Sequence, residues 1–189
     1  MALYNSIREE KKMPVSIEHF RLPRYREIPD VGLYLDQTVK YINPFLAPLG
    51  FAEITPSMVS NYVKKGYISN PVRKQYSADQ IASLFFIAIA KNVVSMENIA
   101  RLFDMQENSY SRPVAYDYFC GELENMLNYT FGLTDEIEDI GTTDTEQRKI
   151  LQSVIIAVVH IIYLTSQFDS YTQEQSKPAL PSPEKSDIS

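Results

Sequence analysis

The chain has 189 residues and a mass of 21.7 kDa, enough for one domain with a closed core or for two small helical subdomains. Its 44% hydrophobic and 22% charged residues exclude general disorder, and six glycines with no tryptophan argue against a loop-rich β-sandwich. A formal charge of −6 excludes a molecule that attracts nucleic acid over its whole surface, so any such binding requires a local patch.

In chain order, residues 1–30 are polar and interrupted by Pro14, Pro23 and Pro29, which predicts an arm laid over the surface. Residues 1–12 carry no apolar signal core, which argues against secretion and for a cytoplasmic protein. Arg21, Arg24 and Arg26 suit either an arm that touches phosphates or local salt bridges with Glu18, Glu27 and Asp30. A first helix is predicted from Leu35, Val39, Ile42 and Leu46, with Pro44 expected to kink or split it. Thr55 before Pro56 is an N-cap and first-turn pair that opens a second helix, and Gly66 stops it. A tiny hairpin is the most strand that residues 68–76 allow. Ser77 with Gln80 forms a capping box ahead of Ile81, Leu84, Phe85 and Ala88. Ser95 caps a short helix with Met96, Ile99, Ala100 and Phe103. Pro113 opens another through Tyr116, Phe119, Leu123 and Leu127 that stops at Gly132. A last helix is expected over about 145–168, and its residues 154–164 form an apolar run too short to span a bilayer. From Thr172 the sequence, with Pro178, Pro181 and Pro183, predicts a disordered tail. No segment alternates with period two, so the fold class is all-α: an arm (1–30), a helix-turn-helix unit (31–106), a helical subdomain (107–171) and a tail (172–189).

Charge separates along this order. Residues 54–78 hold Lys64, Lys65, Arg73 and Lys74 and no acid, whereas residues 112–147 hold nine acids and the single base Arg112. The second helix has two distinct faces. Val59, Tyr62 and Val63 share one and are expected to pack inward. Ser57, Ser60, Asn61 and Lys64 fall at i, i+3, i+4 and i+7 and form an opposite, wholly polar face. Short hydroxyl and amide side chains flanked by lysines suit a helix in a major groove, where Asn reads adenine and Ser reads base edges or phosphates. Residues 50–54 supply the tight connection of a helix-turn-helix. The competing expectation is an ordinary solvated face.

The stretch from Tyr62 onward resembles the MerR-type winged helix-turn-helix, whose recognition helix ends in Tyr-x-x-x-Gly-Leu and whose basic wing ends in Arg-x-Tyr. Tyr62, Gly66 and Tyr67 stand at the first pattern, and Lys74 and Tyr76 at the second. The helix after Ser77 is similar to that family's third, and Ser95-Met96-Glu97-Asn98-Ile99 to its fourth, so that the resemblance covers about residues 35–105. The chain lacks the arginine that the family carries near Ser60, and its wing is shorter. A longer resemblance rests on Leu22-Pro23-Arg24-Tyr25, Ile28-Pro29-Asp30, Leu33-Tyr34-Leu35-Asp36-Gln37, Asn61-Tyr62-Val63-Lys64-Lys65-Gly66 and Lys74-Gln75-Tyr76-Ser77. It is to a bacterial family of unknown function, the domain-of-unknown-function family eighteen thirty-six, over about residues 22–165. It implies a MerR-like DNA-binding half with a helical remainder and no assigned ligand.

Little else suggests chemistry. The six glycines are scattered and form no phosphate loop, and the single Cys120 excludes an intrachain disulfide. Cys120 reads as a core thiol, and His160, inside an apolar helix, as a satisfied or interface histidine. Asp135, Glu136, Glu138 and Asp139 lack the spacing of a calcium loop. The aromatics Tyr110, Tyr116, Tyr118, Phe119, Tyr129, Phe131 and Tyr163 suit either a core or a ligand pocket. The sequence therefore predicts a non-enzymatic, cofactor-free transcriptional regulator that binds double-stranded DNA and touches no membrane. Ser57, Ser60 and Asn61 are expected on bases; Lys64, Lys65, Arg73 and Lys74 are expected on phosphates. A small-molecule effector is compatible with this reading without being indicated by it. The alternative is a protein-interaction module on a degenerate form of the same fold. The last helix is apolar all round (Leu151, Val154, Ile155, Val158, Ile161 and Ile162 on one side, Ile156, Val159 and Tyr163 on the other), so a homodimer is expected to cover part of residues 154–168.

Overall fold

A computed structural model describes residues 15–141 and 145–175, and the expectation of a disordered tail lies, from residue 176, outside the described residues. The described chain is predominantly helical. A single turn (Val15–Glu18) and a 3₁₀ turn (Tyr25–Glu27) precede β1 (Leu33–Tyr34), α1 (Leu35–Leu46) and a second 3₁₀ turn (Ala47–Leu49). Then come α2 (Pro56–Lys64), β2 (Gln75–Tyr76), α3 (Ala78–Ala90), α4 (Met96–Glu107), α5 (Arg112–Thr130) and α6 (Glu146–Gln175). The two short strands pair antiparallel, Leu33 with Tyr76 and Tyr34 with Gln75.

The local signals explain most boundaries. Thr55 Oγ1 accepts from the Met58 amide (3.2 Å) at the start of α2, and Ser77 and Gln80 exchange both bonds of a capping box at α3. Ser95 caps α4 and Thr145 accepts from the Arg148 amide at α6. Pro44 does not split α1. The helix stays α-helical through it to Leu46 and only then tightens into the 3₁₀ turn, because Val39, Ile42 and Leu46 are all held in the core on either side of the lost N–H.

The core is organised around α3. Between Asp79 and Lys91 this helix carries no charge, and every residue from Gln80 to Ala90 is buried, as a helix apolar on all sides requires. Phe85 meets Tyr41 and Phe45 of α1 and Tyr116 of α5, while Phe86 meets Phe103 of α4 and Phe119 of α5, all at centroid distances between 5.1 and 6.1 Å. The arm is part of this core, since Ile17, Leu22 and Ile28 are buried. It is tied down by Arg24, whose guanidinium meets Glu124 of α5 through two bonds of 2.7 and 2.6 Å.

The last helix divides its apolar surface between the core and solvent. Val154, Ile155, Val158, Val159 and Ile162 are buried within the chain, mainly along α5 and also against α3 and α4. They are therefore unavailable to a second copy. What remains outside is a narrower strip: Ile156, Ile161, Leu164, Phe168 and Tyr171, the last two 68% and 59% exposed. Glu146–Thr172 contains an 18-residue stretch of mean hydropathy 1.7 and is long and apolar enough to cross a membrane, a property that core helices of soluble proteins share.

Candidate nucleic-acid interface

The geometry of α2 follows from its anchors. Asn43 of α1 brackets the backbone of Ile54: its Nδ2 donates to the Ile54 carbonyl (3.1 Å) and its Oδ1 accepts from the Ile54 amide (3.0 Å). This clamp fixes the turn between α1 and α2. Val59 and Tyr62 are buried and hold α2 to the core. At the far end Gly66 adopts φ 77°, and the Tyr62 carbonyl accepts from the amides of Tyr67 (2.9 Å) and Ile68 (3.4 Å), closing the helix. Gln80 of α3 donates to the Ser69 carbonyl (2.7 Å) and pins the segment that leads to the strand.

With the inner face committed, Ser57, Ser60, Asn61, Lys64 and Lys65 are all exposed, as the helical spacing requires. Arg73 and Lys74 are exposed as well, at the tip of a four-residue turn. There Val72 and Gln75 form an antiparallel bridge, and the Gln75 amide donates to the Val72 carbonyl (2.9 Å). Both tip residues have positive φ (52° and 66°), the backbone of tight hairpin turns that asparagine and glycine usually fill. Among the described residues, none of these seven side chains forms a hydrogen bond or an ion pair. The turn and α2 belong to one unit, because β2 pairs with β1 and both α2 and β2 pack on α1.

Nearby acids temper the positive charge. Glu97, at the start of α4, is held below the usual carboxylate range by its own amide and the Ser95 hydroxyl, with smaller help from Lys65 and Arg101. Glu53 is exposed in the turn before α2. Of the arm arginines, Arg21 pairs with Glu27 (2.9 Å), as the expectation of local salt bridges has it, whereas Arg24 pairs with Glu124 of α5. The Arg24–Glu124 pair joins residues far apart in sequence, and no local pattern announces it.

The remaining candidates are structural. Cys120 is fully buried and its thiol is pushed up to about 12, chiefly by burial, which keeps it protonated and inert. His160 Nδ1 lies 2.7 Å from the Ile156 carbonyl within its own helix. Among the described residues, no group of three His, Cys, Asp or Glu side chains is placed to hold a metal ion.

Comparison with known proteins yields a match at the level of family. No match is found among curated proteins or among solved structures. Residues 23–119, just over half of the chain and running from the arm to the middle of α5, match the family described as Domain of unknown function (DUF1836), and the chain belongs to that family.

Proposed function

We propose that this chain is a DNA-binding transcriptional regulator, a homodimer built on a MerR-like winged helix-turn-helix with a short wing. The observation that carries the reading is the set of seven exposed side chains on α2 and the adjoining turn that form no hydrogen bond or ion pair among the described residues, in the one stretch that holds four bases and no acid. The order strand, helix, helix, tight turn, strand, helix, helix supports it. Ser57, Ser60 and Asn61 face base edges, and Lys64, Lys65, Arg73 and Lys74 neutralise phosphates. Occupancy of a two-fold site is the mechanism, and no catalytic step is involved.

A two-fold site calls for a two-fold protein. Ile161, Leu164, Phe168 and Tyr171 are spaced three, four and three apart, the repeat with which two helices interdigitate, and the strip carries no charge to repel its own copy. The second copy is therefore placed on this outer strip of α6.

The test is fluorescence anisotropy of the intact protein on random and selected duplexes at low salt. Affinity is expected to fall steeply with salt, with a log–log slope up to roughly −7 for a dimer that uses all eight bases. Absence of binding to every duplex overturns the reading. It would also favour the protein-interaction alternative, to which the exposed apolar residues beside the turn, Val31, Tyr34 and Val72, lend an observation of their own.

A further inference from the structure

A cavity of about 340 Å³ lies between α3 and α4 on one side and α5, the loop at Ile140 and the start of α6 on the other. Its size falls in the range of small-molecule sites, and its walls are aromatic: Phe86, Phe103 and Phe119 face it. Its charges are unexpected. Two arginines, Arg112 and Arg148, line it, and among the described lining residues there is no carboxylate. Yet α5 and its following loop are the most acidic part of the protein. Between residues 112 and 147 nine acids accompany one base, and that base, Arg112, is on the cavity wall.

We propose that this cavity binds an amphipathic organic anion, a small molecule with an apolar body and one carboxylate or comparable acidic group, with Arg112 as its anchor. The two arginines divide the work. Arg148 is committed to the wall: its Nε donates to the Tyr118 hydroxyl (2.9 Å), its Nη1 to the Gly141 carbonyl (2.8 Å), and it pairs with Asp139. It contributes positive potential and shape. Arg112 lies over the Phe103 ring at 5.1 Å, and its partner Glu107 (2.7 Å) is a side chain 63% exposed. A pair so open to water contributes little, so a ligand carboxylate replaces Glu107 at small cost and meets the guanidinium fork from the dry side. Gln106, also on the wall, keeps its Oε1 buried without a partner, and a ligand N–H or O–H satisfies it. The proposal rests on the cavity and is independent of whether the chain binds DNA.

The probe is 8-anilinonaphthalene-1-sulfonate, an aromatic anion whose fluorescence rises in apolar sites, with uncharged N-phenyl-1-naphthylamine as its reference and decanoate as competitor. Saturable binding of the sulfonate, displaced by decanoate, is expected. Arg112→Gln is expected to weaken the sulfonate about tenfold while leaving the uncharged probe within about twofold. Ala115→Leu, which places bulk on the cavity wall, is expected to weaken both probes, and it serves alone should Arg112→Gln not fold. Phe168→Ser, on the outer strip of α6, is expected to change neither. Failure to saturate, unchanged binding to Ala115→Leu, equal loss of both probes in a folded Arg112→Gln, or loss in Phe168→Ser overturns the proposal.

Discussion

The two ends of the charge distribution use their cations in opposite ways. Around α2 and the adjoining turn four bases stand in an acid-free stretch, and all four are exposed and form no hydrogen bond or ion pair among the described residues. In the acidic half the rare arginines turn inward. Arg112 and Arg148 line a cavity, and each meets an acid that itself faces solvent. Net charge per segment therefore says little about where charge acts. An exposed and partnerless cluster attracts a polyanion over a distance, whereas a half-buried arginine in apolar surroundings recognises a single anionic group at contact. The acids around α5 also keep a polyanion away from this second site.

The largest expected effect separates core from surface on α6. Val158 is 1% exposed and Leu164 is 52% exposed, on one helix of nearly uniform apolarity. Val158→Glu places a carboxylate in the core and is expected to cost more than about 4 kcal/mol, which unfolds the chain or removes its cooperative melting transition. Leu164→Glu is expected to leave the circular dichroism melt close to wild type and to convert a dimer to a monomer in sedimentation. A monomeric wild type at micromolar concentration removes the dimer from the proposal.

Next come the exposed bases. Replacing Lys64 and Lys65 together by alanine is expected to weaken binding to all duplexes and to reduce the salt slope by roughly 2 per chain. Asn61→Ala is expected to relax sequence preference with little change in slope. If the lysine pair alters preference and Asn61 alters the slope, the roles assigned to them are reversed. Below these in size stands Asn43→Ala. It deletes both bonds to the Ile54 backbone and is expected to cost about 2 kcal/mol in urea unfolding, although Asn43 carries no charge and touches no partner outside the fold. A cost near zero means that water replaces the clamp.

Much of the α2 region is legible from residues close in sequence, because its determinants are local. Thr55-Pro56 starts the helix, Gly66 ends it, Ser77 with Gln80 starts the next, and helical spacing alone separates the buried Val59 and Tyr62 from the polar face. The cavity is not legible in this way. Its walls come from four helices and two connecting loops, and the aromatic residues that form it have the same spacing as those that merely pack. The same reason obscures which helix is central. The sequence singles out α6 as apolar all round, and only the packing shows α3 enclosed while α6 keeps an open strip. The bond between Arg24 and Glu124 is invisible for want of any local register.

The smallest expected effect is the most discriminating, because it gives stability and binding opposite signs. Arg73 and Lys74 occupy left-handed backbone at the turn tip, where a side chain with a Cβ costs on the order of 1 kcal/mol per residue and asparagine followed by glycine is the favoured pair. Local propensity thus opposes these two residues, and nothing in the described chain rewards them, since neither makes a bond. The double replacement Arg73→Asn with Lys74→Gly is expected to relieve that strain. Part of the gain is offset by the added freedom of glycine in the unfolded chain, leaving a net stabilisation of about 1 kcal/mol, or roughly 2–4 °C in the melting temperature. The same variant is expected to bind duplex DNA more weakly and with a shallower salt dependence, because two phosphate contacts per chain are gone. A turn that melts higher and binds less is one whose strain is kept for its charges. If the variant loses stability, the two side chains support the fold and the wing is not a contact; if it gains stability and binds as before, the phosphates are held by α2 alone.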